Sequence, residues 1–230
     1  MHIYNQDGKS FPSVTTVIHE ISCNEGLMKW ANYMGFMRKD ISVLTRVSTT
    51  FGTKVHSHVR KVVDLTAPEP ILARDLLEQR DIDVILSNFK NRFQCINYET
   101  LATEKTIISP ELGYAGTLDW LANIIKLTSL DKKVLFDFKT SKAIHSTMFL
   151  QLGGYYNLLK SIGEDVDYAG IILLGSKSCS INMIKLKDLK YFGECFNKLY
   201  DFYTEWNIAA KIKPDESILA ELEKQFDNVA

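Results

Sequence analysis

The run Val134-Leu135-Phe136-Asp137-Phe138-Lys139-Thr140-Ser141 sets an acid and a base inside an apolar stretch rich in β-formers. Side chains alternate along a strand, so Asp137 and Lys139 share one side while Phe136 and Phe138 take the other. Charges next to a core are costly unless they are paired or bound to a metal. Asp-x-Lys occurs four times in the chain, beginning at Asp7, Asp131, Asp137 and Asp188, and only the third sits in apolar surroundings. That one position predicts either a functional site or an edge-strand ion pair.

A second acid lies in the segment before it, in Tyr114-Ala115-Gly116-Thr117-Leu118-Asp119-Trp120-Leu121. Residues 98–108, 114–125 and 133–139 all read as strands, with turn signals at 109–113 and 128–132, which predicts an antiparallel meander. A turn near 128 brings Asp119 opposite Asp137. Two carboxylates that close repel, so either one holds a proton or a cation lies between them. A hard divalent ion, Mg²⁺ or Mn²⁺, suits oxygen ligands of this kind. Beside it, Lys139 either assists an attacking water and a charge developing on phosphate, or only neutralises the acids. Gly116 leaves room for a close approach by a strand or a phosphate backbone.

The remaining pattern is mostly helical. Residues 1–11 read as a polar lead-in with a turn at 6–9, followed by a Ser13-capped helix start. Leu27, Trp30, Ala31, Met34 and Met37 keep helical spacing, with Trp30 assigned to the core. A helix over 49–65 carries Val55, Val59, Val62 and Val63 on its apolar side. Gly52 within it hints at a close approach by another backbone or a ligand. Beyond Pro68 and Pro70 a helix is predicted over 71–96, its core face formed by Leu72, Leu76, Leu77, Ile82, Ile85, Leu86, Phe89 and Phe93. Helices over 145–162 and 189–212, strands over 167–174 and 180–186, and a tail helix after Pro214 complete an α/β arrangement with a small sheet that is not doubly wound. Residues 1–96 form the helical region and 97–230 the sheet-bearing core, together one compact domain.

A formal net charge of −1 over 230 residues gives no global attraction to polyanions, so nucleic-acid binding would need a local patch. Cys23, Cys95, Cys179 and Cys195 show no C-x-x-C spacing, which argues against a zinc ribbon and fits reduced thiols in the cytoplasm. With no secretion signal and no long apolar run, neither export nor a membrane span is expected. The absence of Gly-x-x-x-x-Gly-Lys-Ser/Thr removes a built-in nucleotide engine.

Taken together, Gly116-x-x-Asp119, Asp137-x-Lys139 on a strand and Gln151-x-x-x-Tyr155 on the next helix resemble the PD-(D/E)XK nucleases, more narrowly their RecB-like branch. Gly52-Thr53-Lys54-Val55-His56 matches that branch's upstream helix. The Pro12-Ser13-Val14-Thr15-Thr16-Val17 entry and the Trp30 helix are similar to mitochondrial genome maintenance exonucleases and their phage relatives. The resemblance spans roughly residues 11–160. It implies a restriction-endonuclease-like core that hydrolyses DNA phosphodiesters, with Asp119, Asp137, His56 and the Phe138 carbonyl holding Mg²⁺ or Mn²⁺ and Lys139 as the catalytic lysine. It also implies that Gln151 and Tyr155 contact the scissile strand or hold the lysine, the alternative being a polar pair on a packed helix. Thr140, Ser141 and Lys142 are implied to contact DNA, with Glu104, Gly52 and Gly116 as lesser candidates. Replication or recombination proteins become the expected partners, and a bacterial or phage-infected cytoplasm the expected setting. Some RecB-like nucleases carry an iron–sulfur cluster, but Cys179 and Cys195 are too few and too far apart for one.

Overall fold

The computed structural model describes residues 2–22, 25–125 and 131–211, with the side chains of the second helix described from Met28 onward. The predicted turn at 128–132 lies mostly outside these residues, and the tail helix after Pro214 lies wholly outside them. The chain does not begin with a loose lead-in: β1 (Ile3–Gln6) and β2 (Lys9–Pro12) form an antiparallel hairpin. Asp7 (φ 50) and Gly8 (φ 74) make its two-residue turn, for which Asp-Gly is a strong signal.

Ser13 caps α1 (Val14–Ile21) by accepting the Thr16 amide at 2.9 Å. Next come α2 (Glu25–Phe36) and α3 (Ile41–Val63). Trp30 is only half-buried, not a core residue. The third helix starts well before the predicted residue 49 because Asp40 caps it, accepting the amides of Ser42 and Val43. A similar cap at Asp75 opens α4 (Leu76–Phe93), so residues 71–75 stay outside the helix. Leu72, Leu76 and Leu77 are therefore exposed, and the core face is carried by Ile82, Ile85, Phe89 and Phe93.

The sheet follows: β3 (Tyr98–Ser109), β4 (Tyr114–Ile124), β5 (Lys132–Lys139), then α5 (Ser146–Ser161), β6 (Tyr168–Leu174), β7 (Cys179–Lys185) and α6 (Leu186–Ala209). The five strands lie in sequence order. All neighbours are antiparallel except β5 and β6, which run parallel because α5 crosses between them. This is the expected small mixed sheet flanked by helices. Each face has its own core. On one, α1, α5 and α6 bury Leu118, Leu121, Leu135 and Ile171. On the other, α3 and α4 bury Trp120, Phe136, Phe138 and Ile172. The alternation read along β5 is thus realised. The N-terminal helices are divided between the two faces of the sheet. Among the described residues no helix is long and apolar enough to cross a membrane.

Two local features hold this frame. The fifth and sixth helices cross so closely that a Cβ on Gly153 would sit 2.4 Å from the Phe192 backbone. The start of the parallel pair is tied by Asp167, which accepts Lys132 Nζ at 3.0 Å and the Lys133 amide at 2.9 Å. Desolvation raises the Asp167 carboxyl, but those donors outweigh it and hold it below its ordinary range.

Gly153→Ala should destabilise the protein by about 1–3 kcal/mol in denaturant melts, since backbone cannot yield to the added methyl. Gly35→Ala, where nothing lies within 4 Å, should cost nothing. For Asp167 the folded pKa is depressed, so its stabilisation is present above the unfolded value and lost as pH falls through the folded one. Asp167→Asn should therefore lower the melting temperature at pH 7, with the gap closing as the melts are taken below the ordinary carboxylate range.

Candidate active site

The ladder between β4 and β5 ends at the Trp120–Phe136 pair. One step further, where Asp119 would face Asp137, the strands part and the Asp119 carboxylate enters the gap, accepting the Phe138 amide at 2.7 Å. A strand residue turns its N–H and C=O to the same edge, so the Phe138 carbonyl opens toward that gap as well. The register read from the sequence thus brings both acids to one end of the sheet.

Asp137 is 1% exposed. Burial pushes its carboxyl up to about 6 against the opposing pull of Lys139, with Asp119 adding to the rise. Lys139 Nζ stands 2.5 Å from Asp137 Oδ2, an ion pair that is the one contact this buried oxygen has among the described residues. Burial disfavours the ammonium form, but the Asp137 and Asp119 charges prevail and raise the Lys139 pKa. His56, on α3, brings Nδ1 to 3.7 Å from Asp119 Oδ1 and sets its ring edge-on to Phe138. Burial opposes protonation of this ring, but Asp119 and then Asp137 outweigh it, so its pKa is raised. Asp119 is the more acidic partner: burial works against its charge, while His56 and Lys139 bring its pKa below the ordinary value.

Gln151 and Tyr155 lie beneath the acids, as a polar pair on a packed helix. Both are buried, on the α5 face turned to the sheet. A carboxylate can only accept, so the Gln151 amide presents its NH₂, donating at 2.9 Å to Asp137 Oδ1 and at 2.9 Å to the Tyr155 oxygen. Burial, and then the Asp137 and Asp119 charges, hold the Tyr155 hydroxyl well above its ordinary pKa. Gly116 serves this packing, since a Cβ there would come within 2.7 Å of the Tyr155 ring. Its close neighbour is thus a side chain, not a strand or a phosphate.

A cleft of about 670 Å³ opens at Asp119. Gly52, His56 and Arg60, one helical turn apart on α3, line one wall together with Thr49 and Thr53. Tyr4, Ser13, Thr15 and Thr117 line the other, and Asp119 and Tyr155 lie between. The close neighbour of Gly52 is Thr140, whose Oγ1 would lie 3.1 Å from an added Cβ. Glu104 stands on the rim in the left-handed region (φ 48), across from Asp119 between the Thr103–Trp120 and Lys105–Leu118 pairs. Although open to the cleft, its carboxyl is raised, first by partial desolvation and then by the Asp119 charge. Thr140 reaches the cleft; Ser141 turns to the Ala143 carbonyl, and Lys142 is exposed. The sequence reading missed Tyr4, His2 and Arg60. Spacing could have found Arg60, one turn beyond His56; the hairpin that carries His2 and Tyr4 was hidden by reading it as a lead-in.

Among the described residues no group of three or more His, Cys, Asp or Glu side chains stands arranged to hold a metal ion. The donors that are present, two carboxylates with one buried oxygen met only by the Lys139 ammonium, have the chemistry a hard divalent cation takes. No family model and no curated protein matches the chain. A solved structure described as "Crystal structure of SSO0001" is similar over 56% of this chain and 59% of its own, at 17% identity and a TM-score of 0.32. Neither a family nor an activity follows from a likeness of that size.

Gln151→Leu should cost about 1–3 kcal/mol, because it strips the buried Asp137 Oδ1 and the Tyr155 hydroxyl of their shared donor. Denaturant unfolding at pH 7 measures it, and a change within a few tenths of a kcal/mol would remove Gln151 as the support of the acid.

Proposed function

We infer that this chain is a metal-dependent deoxyribonuclease, an exonuclease working on single-stranded or frayed DNA ends. The observation that carries the reading is the convergence of Asp119, Asp137, Lys139 and His56 where β4 and β5 part, with Asp119 and His56 lining an open cleft and Asp137 buried beside them. Asp119, Asp137 and the Phe138 carbonyl would hold a Mg²⁺ or Mn²⁺ ion, with His56 as a further ligand once it leaves Asp119. When bound, such an ion supplies Lewis-acid polarisation of the scissile phosphate and a water of lowered pKa.

The chain's own residues carry the rest. Gln151 fixes the Asp137 carboxylate in one orientation. Lys139, held as an ammonium, balances the charge that builds on phosphate as water oxygen bonds to phosphorus and the bond to the leaving oxygen breaks. The leaving oxygen departs with a proton. The cleft walls are hydroxyl-rich, and among the described residues Arg60 is the one Lys or Arg in the lining, so the strand is held largely by neutral donors. Action on genome DNA beside recombination or replication proteins, in a bacterial or phage-infected cytoplasm, fits such an enzyme.

A second reading, a nuclease fold that holds DNA without cutting it, is favoured by one observation: Lys139 sits directly on Asp137, in the place a cation would need. End-labelled linear and covalently closed circular DNA, incubated with Mg²⁺, Mn²⁺ or EDTA, separates these. We expect metal-dependent loss of linear DNA only, reduced by roughly 10²–10³ in Lys139→Ala and in Asp137→Ala. Cleavage of circles would make the enzyme an endonuclease. DNA retained but intact in every metal would establish the binding module. For single-stranded DNA, log K against log salt should be shallow, at roughly −0.7 per neutralised phosphate with few phosphates neutralised.

A further inference from the structure

The hairpin contributes two aromatic rings to the cleft that neither core uses. His2 and Tyr4 stack with centroids 4.5 Å apart and planes 16° from parallel. His2 is exposed and Tyr4 half-buried, and neither belongs to a core cluster. Phe11 already anchors the hairpin at 6% exposure, so the stacked pair is not needed for that task.

The rings are nonetheless held in place. The His2 amide donates to Thr16 Oγ1 at 2.9 Å, and its carbonyl accepts from that hydroxyl at 3.0 Å and from the Ser13 amide at 3.1 Å. The Tyr4 hydroxyl bonds Thr117 Oγ1 at 2.7 Å, and Thr117 in turn bonds Thr106 at 2.8 Å. Thr117 and Asp119 are two residues apart on β4 and both line the cleft, with about 7 Å of strand between their backbones. A flat, pinned, partly open π-surface therefore lies one short step from the reacting centre.

We propose that the His2–Tyr4 stack is a base-stacking platform, seating the nucleobase next to the phosphate that is cut; this rests on the nuclease reading above. Every base has a π-face, so the platform grips DNA without choosing sequence. In a cleft poor in cations, stacking takes over part of the holding that lysines would otherwise do. It also favours unpaired ends, because a base inside a duplex has no free face to offer.

The test walks a single abasic residue along a short fluorescein-labelled single-stranded oligodeoxynucleotide. Its binding to Asp137→Asn protein, which leaves the strand uncut, is followed by anisotropy. We expect one position at which losing the base weakens binding about tenfold. That penalty should vanish in His2→Ala and Tyr4→Leu, added to the same background and matched in melting temperature, and should persist in Tyr4→Phe. His2 is exposed, so its removal cannot act through unfolding. A flat scan, or a penalty unchanged in both variants, overturns the platform. If wild type still degrades DNA in that case, the nuclease reading survives alone. If wild type neither binds nor cuts DNA in any metal, both fall.

Discussion

The Asp137 carboxylate, closed off from water and still flanked by charge, governs the arrangement of everything near it. An isolated buried carboxylate would take up a proton or unfold the site. Here the Gln151 amide satisfies one oxygen and the Lys139 ammonium neutralises the other. The fifth helix must lie close enough to present Gln151, and Gly116 must lack a side chain so that Tyr155 can pack beneath it. Gly153 and Gly154 let the same helix press against α6 and α1. The glycines and the polar pair are parts of one demand: bring a helix tight against the charged end of a strand.

The paired acids show why position matters more than composition. Asp119 and Asp137 lie at the point where two strands stop bonding to each other. Inside the ladder, the backbone would have had no free amide for Asp119 to accept. Beyond it, neither acid would be sheltered. Parting the strands there supplies an amide, a carbonyl and partial burial at once.

What could be read from residues alone follows the strength of the local signals. Period-two alternation in β5 gave the side of Asp137 and Lys139, because slipping by one residue would have exchanged them with Phe136 and Phe138. In contrast, β4 breaks its alternation beside Asp119, with Leu118 and Leu121 in one core and Trp120 in the other. The sequence put His56, Gln151 and Tyr155 on helices, where they lie, but did not say what each touches. Gln151 and Tyr155 support an acid from below, and a motif does not say on which side of a carboxylate its neighbours lie. Helix starts were misread at Ile41 and Leu76, where a capping aspartate outweighed the run of apolar residues beside it. The leucines before Gln79 look like a core face in periodicity, yet they fall at a helix entrance that faces outward. The hairpin was missed because its strands are short and polar, although Asp7-Gly8 was visible.

The crossover between β5 and β6 has a consequence for the order of events in folding. The third to fifth strands can form a meander from neighbouring segments, but β5 gains its second partner only after α5 and β6 have been made. Until then Asp137 lacks Gln151, and its strand has an open edge. A chain emerging from the ribosome thus carries its acids long before it can shelter them, and the assembled site is among the last features to appear. Non-local closure of this kind is slow relative to hairpin formation. Whatever chemistry Asp119 and Asp137 carry, the topology withholds it until the sheet has closed.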